Sequence, residues 1–229
     1  MALYAIGDLH LSLGTNKPME IFGDKWANHI PRLTEAFSSL TEDDVTVLAG
    51  DISWGISLEE ALPDFQFIDA LPGKKIILKG NHDYWWGTAK KMKEFFAAHD
   101  ITSIDILHNN CFFYGDYAIC GSRGWFYEEE GLHEHTDKMI AREVLRLETS
   151  FSCAQGKKIL CFLHYPPIYH GYQCPELLAA IDRAGAEKCF YGHLHGVTHK
   201  RAFEGKRQKT EYALIAADYL GFIPKKICE

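Results

Sequence analysis

The sequence predicts an α/β fold built on mixed β-sheet, and three observations carry that reading. Short apolar, β-branched runs stop at polar residues, segments of helical spacing lie between them, and two stretches read as antiparallel hairpins. The first run, residues 2–6, ends at Gly7-Asp8; the second, 45–49, ends at Gly50-Asp51; the third, 75–78, ends just before Gly80-Asn81-His82-Asp83. Two later runs, 159–163 before His164 and 188–191 before Gly192-His193, repeat the arrangement. Buried strands thus deliver polar residues to one edge.

Between the strands, apolar residues recur at helical spacing: Ile30, Leu33, Phe37 and Leu40; Leu58, Leu62, Phe65 and Ile68; Met92, Phe95 and Phe96; Met139, Ile140, Val144 and Leu147. Ser57 with Glu60 forms a capping box, and Thr88, Thr136 and Pro175 sit at expected helix starts. Pro63 predicts a kink or a late start in the second helix. The hairpins are 111–114 with 117–120 around Gly115-Asp116, and 200–203 with 210–216.

With 229 residues the chain is expected to form a single domain over 1–229, because a core of this size buries roughly 70% of the unfolded surface without subdividing. A composition of 47% hydrophobic and 24% charged residues is that of a globular chain. The net charge of −7 argues against a nucleic-acid partner, since tracking a phosphate backbone needs clustered Lys and Arg. The basic residues Lys206, Arg207 and Lys209 read as a solvated hairpin turn. Seven cysteines without a C-x-x-C pair fit neither a disulfide framework nor a thiolate zinc site, and read as reduced structural thiols. No basic leader precedes the first apolar run and no segment approaches the ~18 apolar residues of a membrane span, so a cytoplasmic protein without a membrane partner is expected.

Five clusters carry chemistry: Asp8-Leu9-His10, Gly50-Asp51, Gly80-Asn81-His82-Asp83, His164, and Gly192-His193-Leu194-His195. Taken singly, Gly-Asp is a turn, Asn81 a turn residue and His-x-His a surface pair. All five fall at predicted strand ends, in an Asp, Asn and His set without Cys that suits borderline-hard divalent metals. Spacing i to i+2 on an extended chain would let Asp8 converge with His10, and His193 with His195. His29, His99, His108, His133, His135 and His199 have no such context and read as surface or core histidines.

In this order the clusters resemble the calcineurin-like metallophosphoesterase superfamily, whose pattern is D-x-H, G-D, G-N-H-[DE], H, G-H-x-H. The resemblance spans residues 1 to about 200 and implies an α/β fold of two mixed sheets in a β-sandwich flanked by helices. It also implies two divalent metal ions, manganese first with iron or zinc as alternatives. Asp8, His10 and His195 would hold one ion, Asn81, His164 and His193 the other, and Asp51 would bridge them ~3.5–4 Å apart. The implied activity is hydrolysis of a phosphate ester through a metal-bound hydroxide. His82 would be no ligand but the group that stabilises the transition state or protonates the leaving group, with Asp83 orienting its imidazole.

The second motif lacks the Arg with which the superfamily's protein phosphatases grip substrate, which favours a small phosphorylated molecule, a phosphodiester among them. A phosphomonoesterase of small molecules or proteins, a nuclease and a non-catalytic metal-bound scaffold are the alternative readings. Retention of His82 and all seven presumptive ligands weighs against the scaffold. Arg123 is a candidate for the substrate phosphate, with an ordinary surface ion pair at least as good an account of it, and Trp54 and Tyr84, near Asp51 and His82, are candidates to stack on a flat leaving group. Core packing accounts equally well for Trp54, Tyr84, Trp85 and Trp86.

Overall fold

A computed structural model of the chain describes residues 1–126 and 133–229, the side chains of 133–135 excepted. The strands in chain order are β1 Leu3–Ile6, β2 Val45–Ala49, β3 Lys74–Leu78, β4 Ile104–Ile106, β5 Cys111–Tyr114, β6 Tyr117–Ser122 and β7 Lys158–Leu163. They continue with β8 Ile168–Tyr169, β9 Tyr172–Gln173, β10 Lys188–Tyr191, β11 Gly205–Arg207, β12 Thr210–Leu214 and β13 Lys225–Cys228. The α-helices are α1 His29–Phe37, α2 Leu58–Ala70, α3 Ala89–Ala98, α4 His133–Ser152 and α5 Pro175–Ala184. Two mixed sheets with flanking helices result, in two compact units.

The first unit comprises Met1–Ile106 and Ile215–Glu229. Its sheet runs β13-β1-β2-β3-β4, with β1 to β4 parallel and β13 antiparallel on the edge. Parallel strands need helical crossovers, and α1, α2 and α3 lie in the connections. Their apolar stripes supply the core: Leu33 and Phe37 from α1, Phe65 and Ile68 from α2, Met92 and Phe96 from α3, against Ile6, Leu48 and Ile77 of the sheet. Each such side chain contributes about 1.5–3 kcal/mol on burial. Trp85 belongs to this core, edge-on to Phe65 with ring centroids 4.7 Å apart.

Local signals account for the helix ends. The Ser57 hydroxyl accepts from Glu60 N at 3.2 Å, while Glu60 reaches back to Ile56 N at 2.9 Å. With this cap α2 starts at Leu58 and continues through Pro63, so the late start expected there does not occur. Thr88 caps α3 in the same way.

The second unit, Leu107–Leu214, holds a sheet ordered β11-β12-β10-β7-β6-β5 and a two-stranded ribbon of β8 and β9. Strands β6, β7, β10 and β12 are parallel, and the antiparallel β5 and β11 close the two edges. The β5–β6 hairpin turns at Gly115, as expected. Helix α5 begins on Pro175 and ends at Gly185 in the left-handed conformation, the pairing of Pro start with Gly stop. In-register pairing aligns Cys111, Cys120, Cys161 and Cys189 across four neighbouring strands, and all seven cysteines are free.

Two expectations shift. Helix α4 begins at His133, so Thr136 lies inside it and is not its cap. The last hairpin pairs β11 with β12, because 196–201 coil into a 3-10 helix, and Lys206 and Arg207 therefore sit on a strand rather than in the turn. Arg207 pairs with Asp182 at 2.8 Å.

Lys75 on β3 is fully buried. Its ammonium donates to the carbonyls of Leu71 at 2.6 Å and Gly73 at 2.7 Å, closing the exit of α2, and burial pushes its pKa down to about 8. Lys75→Met keeps an apolar stem but leaves those carbonyls without a donor. Urea unfolding should show a loss of about 2–4 kcal/mol. An unchanged midpoint would show that the ammonium contributes nothing to the α2 exit.

Candidate metal centre

In the first unit the chain leaves β1 at Gly7 and runs beside the segment that leaves β2. Asp8 N donates to Gly50 O, His10 N to Asp51 O, Leu11 N to Ile52 O and Trp54 N to Leu11 O, each at 2.9 Å. Asp8, His10 and Asp51 all have positive φ, at 58°, 46° and 49°, in the left-handed region that non-glycine residues rarely occupy. Such strain gathers at functional sites. The spacing argument for Asp8 and His10 therefore needs correction: they converge through successive left-handed turns, not along an extended strand.

That convergence is close. A carboxylate oxygen of Asp8 lies within 4.8 Å of a ring nitrogen of His10, and the Asp8 and Asp51 carboxylates also approach within 4.8 Å. His10 Nε2 is 3.7 Å from Asp51 Oδ2. All three residues are buried. Two carboxylates brought together out of water repel unless cationic charge or a proton sits with them. Buried oxygen and imidazole donors without a thiolate form a set that fits a divalent cation of the manganese, iron or zinc kind.

The turn after β3 is locked to the turn after β2. The buried Asp83 carboxylate accepts from Gly80 N at 2.7 Å, Ile52 N at 2.8 Å, Asp51 N at 3.0 Å and Ser53 N at 3.4 Å. Burial is the main influence and pushes its pKa up to about 6, while these amide donors pull it down. Where the sequence suggested that Asp83 orients the His82 imidazole, its oxygens instead hold backbone amides. A side chain at Gly80 would collide with the Asp51 carboxylate and amide, so glycine is required. Asn81, half-buried, sits on this turn.

His82 N donates to Asp51 Oδ1 at 2.7 Å. Its half-buried ring lies 4.4 Å from Trp54 and 5.7 Å from His10, and its Nδ1 is 3.4 Å from the hydroxyl of exposed Tyr84. Trp54 stacks on His10 at 4.9 Å with a 22° interplanar angle. Of the four aromatic residues in question, Trp54 and Tyr84 stand at the site, Trp85 is core, and Trp86 leans on Trp85. The sequence reading missed Asp64 on α2, which accepts from Leu13 N and the Ser53 hydroxyl and so braces the segments that follow β1 and β2; burial raises its pKa. An Asp in an amphipathic helix gives no sign of this.

In the second unit His164 follows β7 and is fully buried. The carbonyl of Arg123 accepts from His164 N at 3.2 Å and Tyr165 N at 2.9 Å, and Gly192 N donates to His164 O at 3.1 Å. The His164 and His193 rings are 5.2 Å apart, and Tyr165 packs 4.6 Å from His193. His193 has φ 72°, again left-handed, so the extended-chain spacing argument does not describe it either. His195 is half-buried, with a ring nitrogen within 4.8 Å of one on His199, a residue that carried no signal in the sequence. The His133 and His135 side chains lie outside the described residues.

Arg123 does not reach outward. Its guanidinium pairs with buried Glu143 at 3.9 Å and covers the Trp125 ring at 4.4 Å, which makes it a brace beneath the His164 turn rather than a phosphate grip.

Solved structures share this fold. A protein of unknown function from Aquifex aeolicus superposes with a TM-score of 0.52 at 16% identity, covering 98% of this chain and 95% of the other. A phosphopantetheinyl hydrolase from Mycobacterium tuberculosis superposes with a TM-score of 0.59 at 13% identity, covering 99% and 95%. No curated protein matches the chain. Residues 1–197 match the model of one family, and that match reaches from Asp8 through His195, across every motif in the order expected. The chain belongs to the calcineurin-like phosphoesterases.

Proposed function

We propose that the chain hydrolyses a small phosphodiester with two bound divalent cations, manganese first among them, as one catalytic domain over residues 1–229 in the cytoplasm. Family membership gives the class of chemistry, metal-dependent phosphoester hydrolysis. No described helix is long and apolar enough to cross a membrane. The observation that carries the reading is the buried trio of Asp8, His10 and Asp51, held in left-handed backbone with their ligand atoms drawn together.

In this proposal Asp8, His10 and His195 hold one cation, Asn81, His164 and His193 the other, and Asp51 is shared. Bound there, the cations supply Lewis-acid charge for phosphoryl oxygens and acidify water. The chain's own groups do the rest. Asp51 Oδ1 fixes the His82 backbone, and Trp54 limits the rotation of both the His10 and His82 rings. A Tyr84 hydroxyl donating to His82 Nδ1 keeps the proton on Nε2, where it can be given to the leaving oxygen.

Asp51→Asn retains a carbonyl oxygen for His82 N but removes the charge the two cations share. Elemental analysis of the purified variant should find both metals depleted; full stoichiometry with full activity would reject Asp51 as the bridge. His82→Ala should lower turnover by ~10²-fold or more with metal content near wild type. Loss of metal would make His82 a ligand, and unchanged turnover would remove it from the mechanism.

Ester class follows from the cations near the site. Held by Glu143, Arg123 is not placed for the extra oxygen of a monoester dianion. With Mn²⁺, bis-p-nitrophenyl phosphate should have a kcat/KM at least equal to that of p-nitrophenyl phosphate, and Arg123→Ala should change the ratio by less than about twofold. A strong monoester preference abolished by that substitution would return the specificity to Arg123.

A further inference from the structure

Lys17 is a cation that the metal centre does not account for. Its Nζ lies 3.0 Å from the centroid of the Trp54 ring. Among the described residues it pairs with no carboxylate, and it is half-buried. The indole beneath it is itself fixed, stacked on His10, 4.4 Å from His82, and donating from Nε1 to the Met19 sulfur at 3.1 Å. The segment that carries Lys17 is anchored where Leu11 bridges to Ser53, and Met19 is buried against the core. An ammonium held this way has given up part of its water, and burial lowers its pKa. A ring quadrupole compensates such a cation only in part.

In the proposed reaction His82 serves the leaving group; Trp54 lies 4.4 Å from its ring and Nζ lies 3.0 Å from the same indole, so one ring links the ammonium to the imidazole. Exposed Tyr84, edge-on to His82 with ring centroids 6.0 Å apart, offers apolar surface to an organic arm there.

We infer that Lys17 is a specificity residue that binds an anionic group carried by the leaving group, so that the preferred substrates are phosphate esters whose departing arm bears its own carboxylate or phosphate-type anion. This rests on the phosphoesterase reading and adds to it a named substrate feature.

The test compares phenyl, 4-carboxyphenyl and 4-phosphonophenyl phosphates, each as monoester and as methyl diester, on wild type, Lys17→Met and Lys17→Arg. Wild type should favour an anionic arm by about tenfold or more in kcat/KM, and the better of carboxylate and phosphonate identifies the anion. Lys17→Met should remove that preference through KM and leave the phenyl esters unchanged, while Lys17→Arg should retain most of it. Equal losses on all substrates would reduce Lys17 to a support for Trp54, and no preference in wild type would overturn the inference. Calorimetric titration with the products 4-hydroxybenzoate and 4-hydroxyphenylphosphonate needs no turnover. Wild type should bind the favoured one about tenfold more tightly than Lys17→Met. That difference in a protein hydrolysing no ester would reject the catalytic reading alone, whereas equal affinity would reject the role of Lys17.

Discussion

One buried anion holds the first unit's site together. Asp83 receives amide hydrogens from Gly80, Asp51, Ile52 and Ser53, two turns that leave different strands. Taking a carboxylate out of water is costly, and only a full set of donors offsets the desolvation. Hydrogen bonds to a charged acceptor contribute about 1.5–3 kcal/mol each, so two or three good ones reach the needed scale. With Asp83 in place, Asp51 Oδ1 meets His82 N, and the imidazole is set beside Trp54 and His10. The site geometry is therefore a consequence of a residue that faces backbone rather than substrate.

The same logic explains how the left-handed residues persist. Non-glycine residues in this region cost about 1–3 kcal/mol each, and Asp8, His10 and Asp51 occur within two adjoining segments. The parallel hydrogen bonds from 8–11 to 50–54 and the brace from Asp64 to Leu13 and Ser53 hold these conformations. Below them the strands are buried on the Ile6, Leu48 and Ile77 side by α1 to α3. A stable sheet thus supports a rim whose backbone is individually unfavourable, and it is at this rim that the acidic and imidazole donors converge.

Much of this was legible in the sequence. Apolar runs ending at Gly-Asp, Asn-His and Gly-His marked the strand ends, and Ser57, Thr88 and Pro175 marked helix starts, because both signals are local. The edge strands β4 and β13 were not read, since three or four residues are too few to establish a period. The last hairpin was displaced because the residues 196–201 coil after His195. At the site the residue types pointed to metal chemistry, but the backbone that gathers Asp8 and His10 was misjudged, as two-residue spacing says nothing about handedness. Asp83 was assigned to the His82 imidazole by proximity in sequence, and Arg123 was left between a substrate contact and an ion pair. Their charges are in fact answered by amides and by Glu143, and apart from Gly80 these partners lie 20 or more residues away.

Those pairings bear on how an acidic chain selects an anionic substrate. With a net charge of −7 the chain offers no general attraction for phosphate, so recognition depends on cations close to the chemistry. In the second unit Arg123 and Arg146 share Glu143, Arg183 meets Glu148, Arg207 meets Asp182, and Lys158 meets Glu187. The exposed pairs among these, Arg183 with Glu148 and Lys158 with Glu187, add about 0–1 kcal/mol each, but every such pairing cancels the field its cation would project. Lys17 differs because its neighbour is a tryptophan face, which leaves its net charge intact while fixing its place. A ring that contacts His10, His82 and the Lys17 ammonium couples the alignment of the His82 imidazole to the position of that charge, so a change at Trp54 disturbs both together.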